Sequence, residues 1–296
     1  MKRILDCYAS DFKNMTAKEL KQSIIASEGR TLLSENIVTG SAADGLTNSE
    51  VARAAGADLI LLNALDVYDL YISGLDITDN PVHTLQKMLG RPIGVNLEPI
   101  DLNADFNESR LDISKGRMAS KETILRAEEL GFDFICLTGN PKTGVTNDEL
   151  VNAVTLAKEF FSGLVIAGKM HQSGVAEEVM SVEVAKQLIN AEADVILMPA
   201  VGTVPGVDEE TTKKLVKLAK ESKVLTMASI GTSQESADPA TIRQIGLMSK
   251  IIGFDIHHIG DAGYAGIAPY ENIIELSKTI RGNRHTLRRM ADSVNR

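Results

Sequence analysis

The sequence predicts an α/β protein of the (β/α)8 TIM-barrel class, with an extra N-terminal helix and a C-terminal helical extension. Two observations support this prediction. Aspartate stands directly before an apolar run at Asp58, Asp133, Asp194 and Asp255, which are 75, 61 and 61 residues apart. Four more apolar runs separate or precede these, so that eight strand candidates alternate with helix candidates. Eight such alternations close into a barrel, and the chain exceeds the roughly 250 residues that this fold needs.

The eight predicted strands are nearly continuous apolar runs, as expected for parallel strands that are covered on both faces. They lie at residues 31–36, 59–62, 92–98, 134–137, 164–171, 195–198, 224–231 and 256–259. No G-x-G-x-x-G motif follows any of them, which argues against an open dinucleotide-binding sheet.

Helix candidates fill the gaps, and several begin at a capping motif. Thr47 with Glu50, and Thr146 with Glu149, form capping boxes, in which each side chain bonds an otherwise unpaired amide of the first turn. Asp238 precedes a proline that suits the first position of another helix. The predicted helices lie at residues 48–55, 81–89, 121–130, 147–161, 182–191, 209–222, 239–252 and 270–280.

The chain is expected to form a single domain over residues 1–296. A capping box of Thr16 and Glu19 starts a helix that runs to residue 26, so we expect residues 1–30 to form a helical cap across the bottom of the barrel. The barrel itself occupies residues 31–281, and residues 282–296 form a basic helix. The basic segment from residue 278 onward is interpreted as a solvated helix end, with contact to RNA or a phosphate ligand as the alternative.

The composition narrows the classes of protein. The net charge is −9, from 31 basic and 40 acidic side chains, which disfavours nucleic-acid and anionic-membrane partners. Cys7 and Cys136 are too few for a secreted disulfide framework, and no apolar stretch reaches the roughly 18 residues of a membrane span. We therefore expect a reduced, cytoplasmic protein. Since barrels of this size often dimerise, a homo-oligomer stays open.

Polar residues stand at the predicted C-terminal ends of the strands, where barrel enzymes carry their active sites. The candidate catalytic residues are Glu35, Glu98, Lys169, His171 and His257. The candidate substrate-binding residues are Asn63, Asn96, Thr138, Asn140, Ser229, Gly231, Thr232, Gly260, Asp261 and Gly263. The long polar connection over residues 99–120 follows the third strand, and a lid and a passive insertion are both consistent with it.

Alternation along the strands suggests which side chains enter the site. Lys169 shares a face with Val165 and Ala167, which suit a barrel interior, so we expect Lys169 and His171 to point inward. A lysine among apolar neighbours can act as a base or form a Schiff base, and His171 can act as a general base. An ion pair of Lys169 with Glu35 or Glu98, and a hydrogen-bonded packing role for His171, are the alternatives.

Adjacent histidines point to opposite faces of a strand, so only one of His257 and His258 can enter the site. A metal site made of His171, one of these histidines, Glu98 and Asp261 is a weaker alternative, because no metal-ligand spacing supports it. No cofactor is expected.

The strongest ligand signal concerns phosphate. Residues 229–233 end the seventh strand, and the glycine-rich residues 260–266 follow the eighth. Barrels often bind phosphate with these two loops, because glycines let backbone amides approach the anion. A small phosphorylated substrate is therefore expected. Ordinary glycine-rich turns are the alternative, and Asp261 would repel an anion unless its side chain turned away.

Several segments resemble the BtpA family of barrel proteins. The run RPIGVNLEPID from Arg91 and the run DFICLTGNPKTGVTND from Asp133 resemble two stretches of that family, and LVIAGKMH from Leu164 parallels its strand that ends in V-K-H. The resemblance covers residues 91–233. It implies a (β/α)8 fold and allows a non-catalytic role, since some members are linked to photosystem I accumulation and others are found beside sugar phosphotransferase genes.

The leading functional hypothesis is an enzyme acting on a small phosphorylated, sugar-like or keto-acid substrate. Proton abstraction next to a carbonyl would make it an isomerase, an epimerase or an aldolase-type lyase, with Lys169 as base or Schiff-base nucleophile. A non-catalytic, BtpA-like binding or assembly factor and a metal-dependent hydrolase or lyase are the alternatives.

Overall fold

A computed structural model describes residues 1–106 and 109–296. Eight parallel strands close into a barrel in chain order, so the predicted (β/α)8 TIM barrel is confirmed. The strands are β1 Thr31–Ile37, β2 Leu59–Asn63, β3 Ile93–Leu97, β4 Phe134–Leu137, β5 Leu164–Gly168, β6 Val195–Pro199, β7 Leu225–Ile230 and β8 Ile256–Ile259.

The helices follow the strands as predicted, with bounds that agree to within one residue except at the last. That helix runs on past the predicted end at residue 280 and is interrupted at Gly282, whose φ of 75° is outside the helical range. The helices are α1 Ala9–Phe12, α2 Ala17–Ile25, α3 Asn48–Ala54, α4 Pro81–Leu89, α5 Lys121–Leu130, α6 Asn147–Phe160, α7 Val182–Asn190, α8 Glu209–Glu221, α9 Pro239–Ile252 and α10 Tyr270–Ala291.

Apolar side chains from alternate strand positions fill the lower part of the barrel. Leu61, Cys136, Ile166 and Leu197 belong to one buried cluster in this interior. The same cluster includes Leu20 and Ile24 of α2, so the leading helix packs against the interior of the barrel at its lower end. The intervening strand residues form a second cluster with the surrounding helices. The upper end of the interior is therefore the part left for polar groups.

The four repeated aspartates have one structural role. Asp58 donates its backbone amide to the carbonyl of Leu32 at 2.8 Å, and its carboxylate accepts the amide of Leu32 at 2.8 Å. The same reciprocal pair joins Asp133 to Ile93, Asp194 to Val165 and Asp255 to Thr226. Each aspartate thus ties the start of an even-numbered strand to the strand before it, at the bottom of the barrel.

The C-terminal segment corrects one interpretation. Arg281 and Arg289 are fully buried and both form ion pairs with Asp58. Arg91 is likewise buried and lies 2.7 Å from a carboxylate oxygen of Asp292. The interpretation of this segment as a solvated helix end is wrong for these two arginines, because they neutralise an aspartate that the barrel itself buries.

Two findings bear on the sequence expectations about environment. Cys7 and Cys136 are both buried free thiols. Within residues 1–106 and 109–296, no helix has the length and apolar character needed to cross a membrane.

Candidate active site

A polar cavity of about 120 Å³ lies at the C-terminal end of the barrel. The last inward-facing residues of the first strands contribute Glu35, Asn63 and Asn96, because they continue the alternation that places Leu33 and Leu61 in the interior. Most predicted site residues line this cavity: Glu35, Asn63, Asn96, Thr138, Asn140, His171, Gly231, Thr232, Gly260 and Asp261. The residues that sequence reasoning brought to the strand ends therefore come together in one place.

Glu35 and His258 form a buried pair next to this cavity. The Oε2 atom of Glu35 lies 2.9 Å from Nε2 of His258, whose Nδ1 lies 2.8 Å from Oγ of Ser229. Burial, together with the carboxylates of Glu235 and Glu98, raises the pKa of Glu35 to about 8. Burial lowers the pKa of His258 to about 4. At neutral pH the protonated carboxyl of Glu35 therefore donates to Nε2, and Nδ1–H donates to Ser229.

Asn63 is the centre of a network of amide side chains. Its Nδ2 donates to Oδ1 of Asn140 at 2.9 Å and to Oδ2 of Asp261 at 2.8 Å, and its Oδ1 accepts from Asn96 at 3.0 Å. Burial and the neighbouring Glu35 raise the pKa of Asp261 to about 7, although the bond from Asn63 opposes this shift. A carboxyl group with a raised pKa thus faces the cavity.

Glu98 lies just outside the cavity and holds its wall. Its carboxylate accepts the backbone and side-chain N–H groups of Asn140 at 2.8 and 2.9 Å. Arg117 donates to the same carboxylate at 2.7 Å. These bonds fix the position of Asn140. Glu98 itself does not line the cavity, although it was predicted to be a catalytic residue.

Lys169 does not enter the cavity, which corrects the predicted orientation. Val165 and Ala167 pack between the barrel and the helices, and Lys169 continues that outward face to form a buried ion pair with Glu177. The interior positions of β5 are Leu164 and Ile166. The prediction was wrong because both faces of a helix-covered strand are apolar, so apolar neighbours do not identify the interior.

His171 does line the cavity, because β5 ends at Gly168 and the chain turns over the barrel end. The amide of Ser173 donates to Nδ1 of His171 at 2.9 Å, which leaves the ring proton on Nε2. Burial and the nearby Lys169 lower the pKa of His171. The imidazole is therefore neutral at pH 7.

The adjacent histidines of β8 do point to opposite faces, but the assignment of His257 to the site is wrong. His257 lies on the outer face, where its Nε2 is 3.1 Å from the carbonyl of Gly29, and His258 faces the interior. The aspartate repeat contains the missing signal. The residues one and three positions after Asp58 and Asp133 face inward, and the same count from Asp255 selects Ile256 and His258.

The loops after β7 and β8 differ from the expected phosphate cradle. Glu235, which the sequence reasoning missed, accepts the amide of Ala262 at 3.0 Å, and the amide of Gly263 donates to the carbonyl of Asp261. Gly263 does not line the cavity, and burial raises the pKa of Glu235. Two carboxyl groups thus stand where an anion was expected, and no Lys or Arg is among the described residues that line the cavity.

Three buried side-chain atoms at the cavity have no hydrogen-bond partner among residues 1–106 and 109–296: Oδ1 of Asn96, Oγ1 of Thr138 and Oε2 of Glu235. Buried polar atoms are ordinarily paired, so these atoms mark where a ligand would bond. Nothing in the sequence distinguished Glu235, which comes from the short 3-10 helix Gln234–Ser236 beyond the end of β7. Met170 lines the cavity as well and was not predicted.

The predicted connection over residues 99–120 includes residues 107 and 108, which lie outside the described residues. In the described part, Ile100 bridges to Val145 and Phe106 bridges to Val175, so this connection packs against the loops that follow β4 and β5. Among the side chains of residues 1–106 and 109–296, no group of three His, Cys, Asp or Glu is arranged to hold a metal ion.

The comparisons with known proteins identify a family and a fold. A family model described as "Domain of unknown function (DUF7916)" matches residues 5–296, so the chain belongs to that family. No curated protein sequence matches this chain.

Solved barrel structures resemble the fold at low identity. An archaeal fructose 1,6-bisphosphate aldolase is 14% identical, with a TM-score of 0.54, over 92% of this chain and 98% of its own. A Schiff base forming fructose-1,6-bisphosphate aldolase is 14% identical, with a TM-score of 0.53, over 92% and 99%. The carboxyl transferase domain of Rhizobium etli pyruvate carboxylase is 15% identical, with a TM-score of 0.55, over 98% and 50%. These likenesses extend to the fold.

Proposed function

We propose that this member of the DUF7916 family is an acid–base enzyme that moves a proton next to the carbonyl group of a small, uncharged, polyhydroxylated substrate. Such a reaction is that of a sugar isomerase or epimerase, or the enolisation step of an aldolase-type lyase. The observation that carries the proposal is the placement of two carboxyl groups with raised pKa, Glu35 and Asp261, beside one amide-lined cavity.

The two carboxyl groups suit opposite roles. Efficient acid and base catalysts have a pKa near the working pH, and burial is the usual way to raise a carboxyl pKa to that range. Asp261, with a pKa of about 7, is the more readily ionised and acts as the base that removes the proton next to the carbonyl. Glu35, with a pKa of about 8, holds its proton and delivers it to the developing enol oxygen.

His258 and Ser229 support the acid. Nε2 of His258 accepts from the protonated carboxyl of Glu35 at 2.9 Å, and Nδ1–H of the same ring donates to Ser229 at 2.8 Å, so the ring holds the acid form of Glu35 in place. His258 is therefore a positioning residue, and it neither gains nor loses a proton when Glu35 acts.

The character of the cavity indicates the class of substrate. The unpaired Asn96 and Glu235 oxygens and the Thr138 hydroxyl are suited to ligand hydroxyl groups. A phosphate or carboxylate on the substrate would meet the carboxyl groups of Glu235 and Asp261 with no lining cation among the described residues. The cavity therefore suits a sugar-like substrate without a phosphate group. Lys169 has no part in it, since its ammonium is paired with Glu177.

The test is solvent hydrogen exchange in D2O, followed by NMR, with neutral aldoses and ketoses of three to six carbons and with their phosphate esters. We expect the enzyme to exchange the proton next to the carbonyl of at least one neutral compound, and Asp261→Asn to lower that rate by about 100-fold or more. Exchange of phosphate esters alone would contradict the substrate class. No exchange with any compound would favour the non-catalytic role.

A further inference from the structure

A second cavity, of about 570 Å³, lies at the bottom of the barrel, at the opposite end from the candidate active site. It is bounded by the C-terminal ends of α8 and α9, the start of β7, the residues just before β8, and the turn between α2 and β1. None of the residues that line this cavity takes part in the acid–base chemistry proposed above.

Three lysines line this cavity, in a protein whose net charge is −9. Within the described residues, Lys220, Lys223 and Lys250 form no ion pair, and Nζ of Lys250 donates to the carbonyl of Ile280. Lys220 and Lys250 lie near the C-terminal ends of α8 and α9, where cations are favoured. Lys223 lies just beyond α8 with a φ of 59°, a conformation that favours glycine. Ending the helix therefore does not require a lysine at this position.

The two acidic residues of the cavity are already engaged. The carboxylate of Glu28 lies 2.8 Å from Arg30. The carboxylate of Asp255 accepts the amide and the hydroxyl of Thr226, each at 2.9 Å. Lys220 opposes the effect of burial on the pKa of Asp255, so this carboxylate offsets part of the charge of Lys220. Three lysines against this one carboxylate leave the cavity with a net positive charge, since Glu28 is paired with Arg30, and an anion is the complementary ligand.

The walls between the lysines are apolar. Phe254 and Leu225 form buried parts of the wall, and Ile25 of α2 stays 43% exposed beside them. An inorganic ion would leave the exposed side chain of Ile25 in contact with water, whereas a ligand with a hydrocarbon part would cover it at about 25 cal/mol per Å² of apolar area removed from water. The chemistry of the cavity thus calls for an anionic head and an apolar body in one molecule.

We infer that the bottom of the barrel is a binding site for a small amphipathic anion, with a phosphate or carboxylate head held by Lys220, Lys223 and Lys250 and a short hydrocarbon body against the exposed side chain of Ile25.

The test is calorimetric titration of the full-length protein with hexyl phosphate and hexanoate, and with inorganic phosphate and hexan-1-ol as the two halves of the ligand. We expect at least one of the two amphipathic anions to bind about tenfold more tightly than either half. The comparison of hexyl phosphate with hexanoate identifies the head group. Equal binding of the halves and the whole would overturn the inference.

Matched variants locate the site. Lys220→Gln combined with Lys223→Gln should weaken binding of the preferred anion by about tenfold or more, since both lysines are exposed and their charge is removed without a cavity. Lys213→Gln combined with Lys214→Gln, on the same helix but paired with Glu209 and Glu210, should leave the affinity unchanged.

A second kind of variant tests the apolar wall. Ile25→Glu places a carboxylate at the half-exposed wall and should abolish binding of both amphipathic anions while circular dichroism stays that of the parent. Equal affinity of the parent, the two double variants and Ile25→Glu would overturn the inference, because the anion would then bind elsewhere.

Discussion

The side chains of Glu35 and His258 meet at 2.9 Å across the line where the last strand of the barrel pairs with the first. Glu35 lies on β1 and His258 on β8, 223 residues apart in the chain. The proposed acid is therefore assembled by barrel closure, and a partly closed barrel would expose the Glu35 carboxyl to water and return its pKa towards the ordinary range.

The first prediction concerns the pH dependence of stability. The folded-state pKa of Glu35 is about 8, above its ordinary value of 4.5, so the folded protein binds more protons than the unfolded chain between these pH values. Its contribution is full below pH 4.5 and is lost as the pH rises through 8. We expect Glu35→Gln to flatten the fall in the free energy of unfolding between pH 6.5 and 8, by up to about 1.4 kcal/mol per pH unit. Urea unfolding at four pH values measures this.

His258 does not complicate that interval, because its pKa falls from 6.5 to about 4 on folding and its effect on stability lies below pH 6.5. Equal slopes for the parent and Glu35→Gln between pH 6.5 and 8 would contradict the raised pKa of Glu35.

The second prediction uses the adjacent histidines. His258→Gln should lower the rate of solvent hydrogen exchange by about tenfold or more, because Glu35 loses the ring that holds its protonated carboxyl in place. His257→Gln should leave the rate within about twofold, since that ring lies outside the barrel against the carbonyl of Gly29. The same NMR assay in D2O measures both variants. Loss of activity in His257→Gln with retention in His258→Gln would reverse the assignment.

The third prediction compares two of the repeated aspartates. Asp58→Asn removes the carboxylate paired with the buried Arg281 and leaves Arg289 with only Asp292, at 3.4 Å, and should cost about 3–5 kcal/mol of unfolding free energy. Asp194→Asn alters the equivalent backbone contact, but its partners Lys21 and Lys158 are partly exposed, so about 1 kcal/mol is expected. Urea unfolding of both variants measures the difference. Equal losses would show that the backbone contact and not the buried charge dominates.

The fourth prediction concerns Lys169. Borohydride with the substrate found by the exchange assay should add no mass at Lys169, because its ammonium is buried in the ion pair with Glu177. Lys169→Met should destabilise the protein by about 3 kcal/mol, and adding Glu177→Met should recover part of that loss. Mass spectrometry and urea unfolding make these measurements. A borohydride adduct on Lys169 would restore the Schiff-base mechanism.

The fold was predictable because its signals are local and repeated. Caps such as Thr47 and Thr146 mark helix starts, and the apolar runs mark strands whatever they pack against. The collection of residues at the mouth was predictable for a related reason, since strand ends of a barrel meet at one face whichever side chains they carry.

The direction of individual side chains was harder to predict. The predicted directions of Lys169 and His257 were wrong because a strand between a packed interior and a helix layer is apolar on both faces. Its composition therefore does not tell which residues face the interior. Glu235 was missed because its contact with Ala262 depends on how two loops fold over each other. Loops have no repeating sequence pattern from which such a contact could be predicted. The distance from each repeated aspartate does tell which strand residues face the interior, and it would have selected His258.

The four aspartate contacts distinguish the bottom of the barrel from its mouth. At the bottom, neighbouring strands are joined by these side chains in addition to their backbone pairing. Strands are joined two by two at one end, by side chains that take no part in the mouth of the barrel. Mutations near the mouth can then accumulate without loosening the frame. Related chains are free to acquire new substrates by changing loops alone, and an engineer who keeps the four aspartates has the other end of this barrel open to redesign.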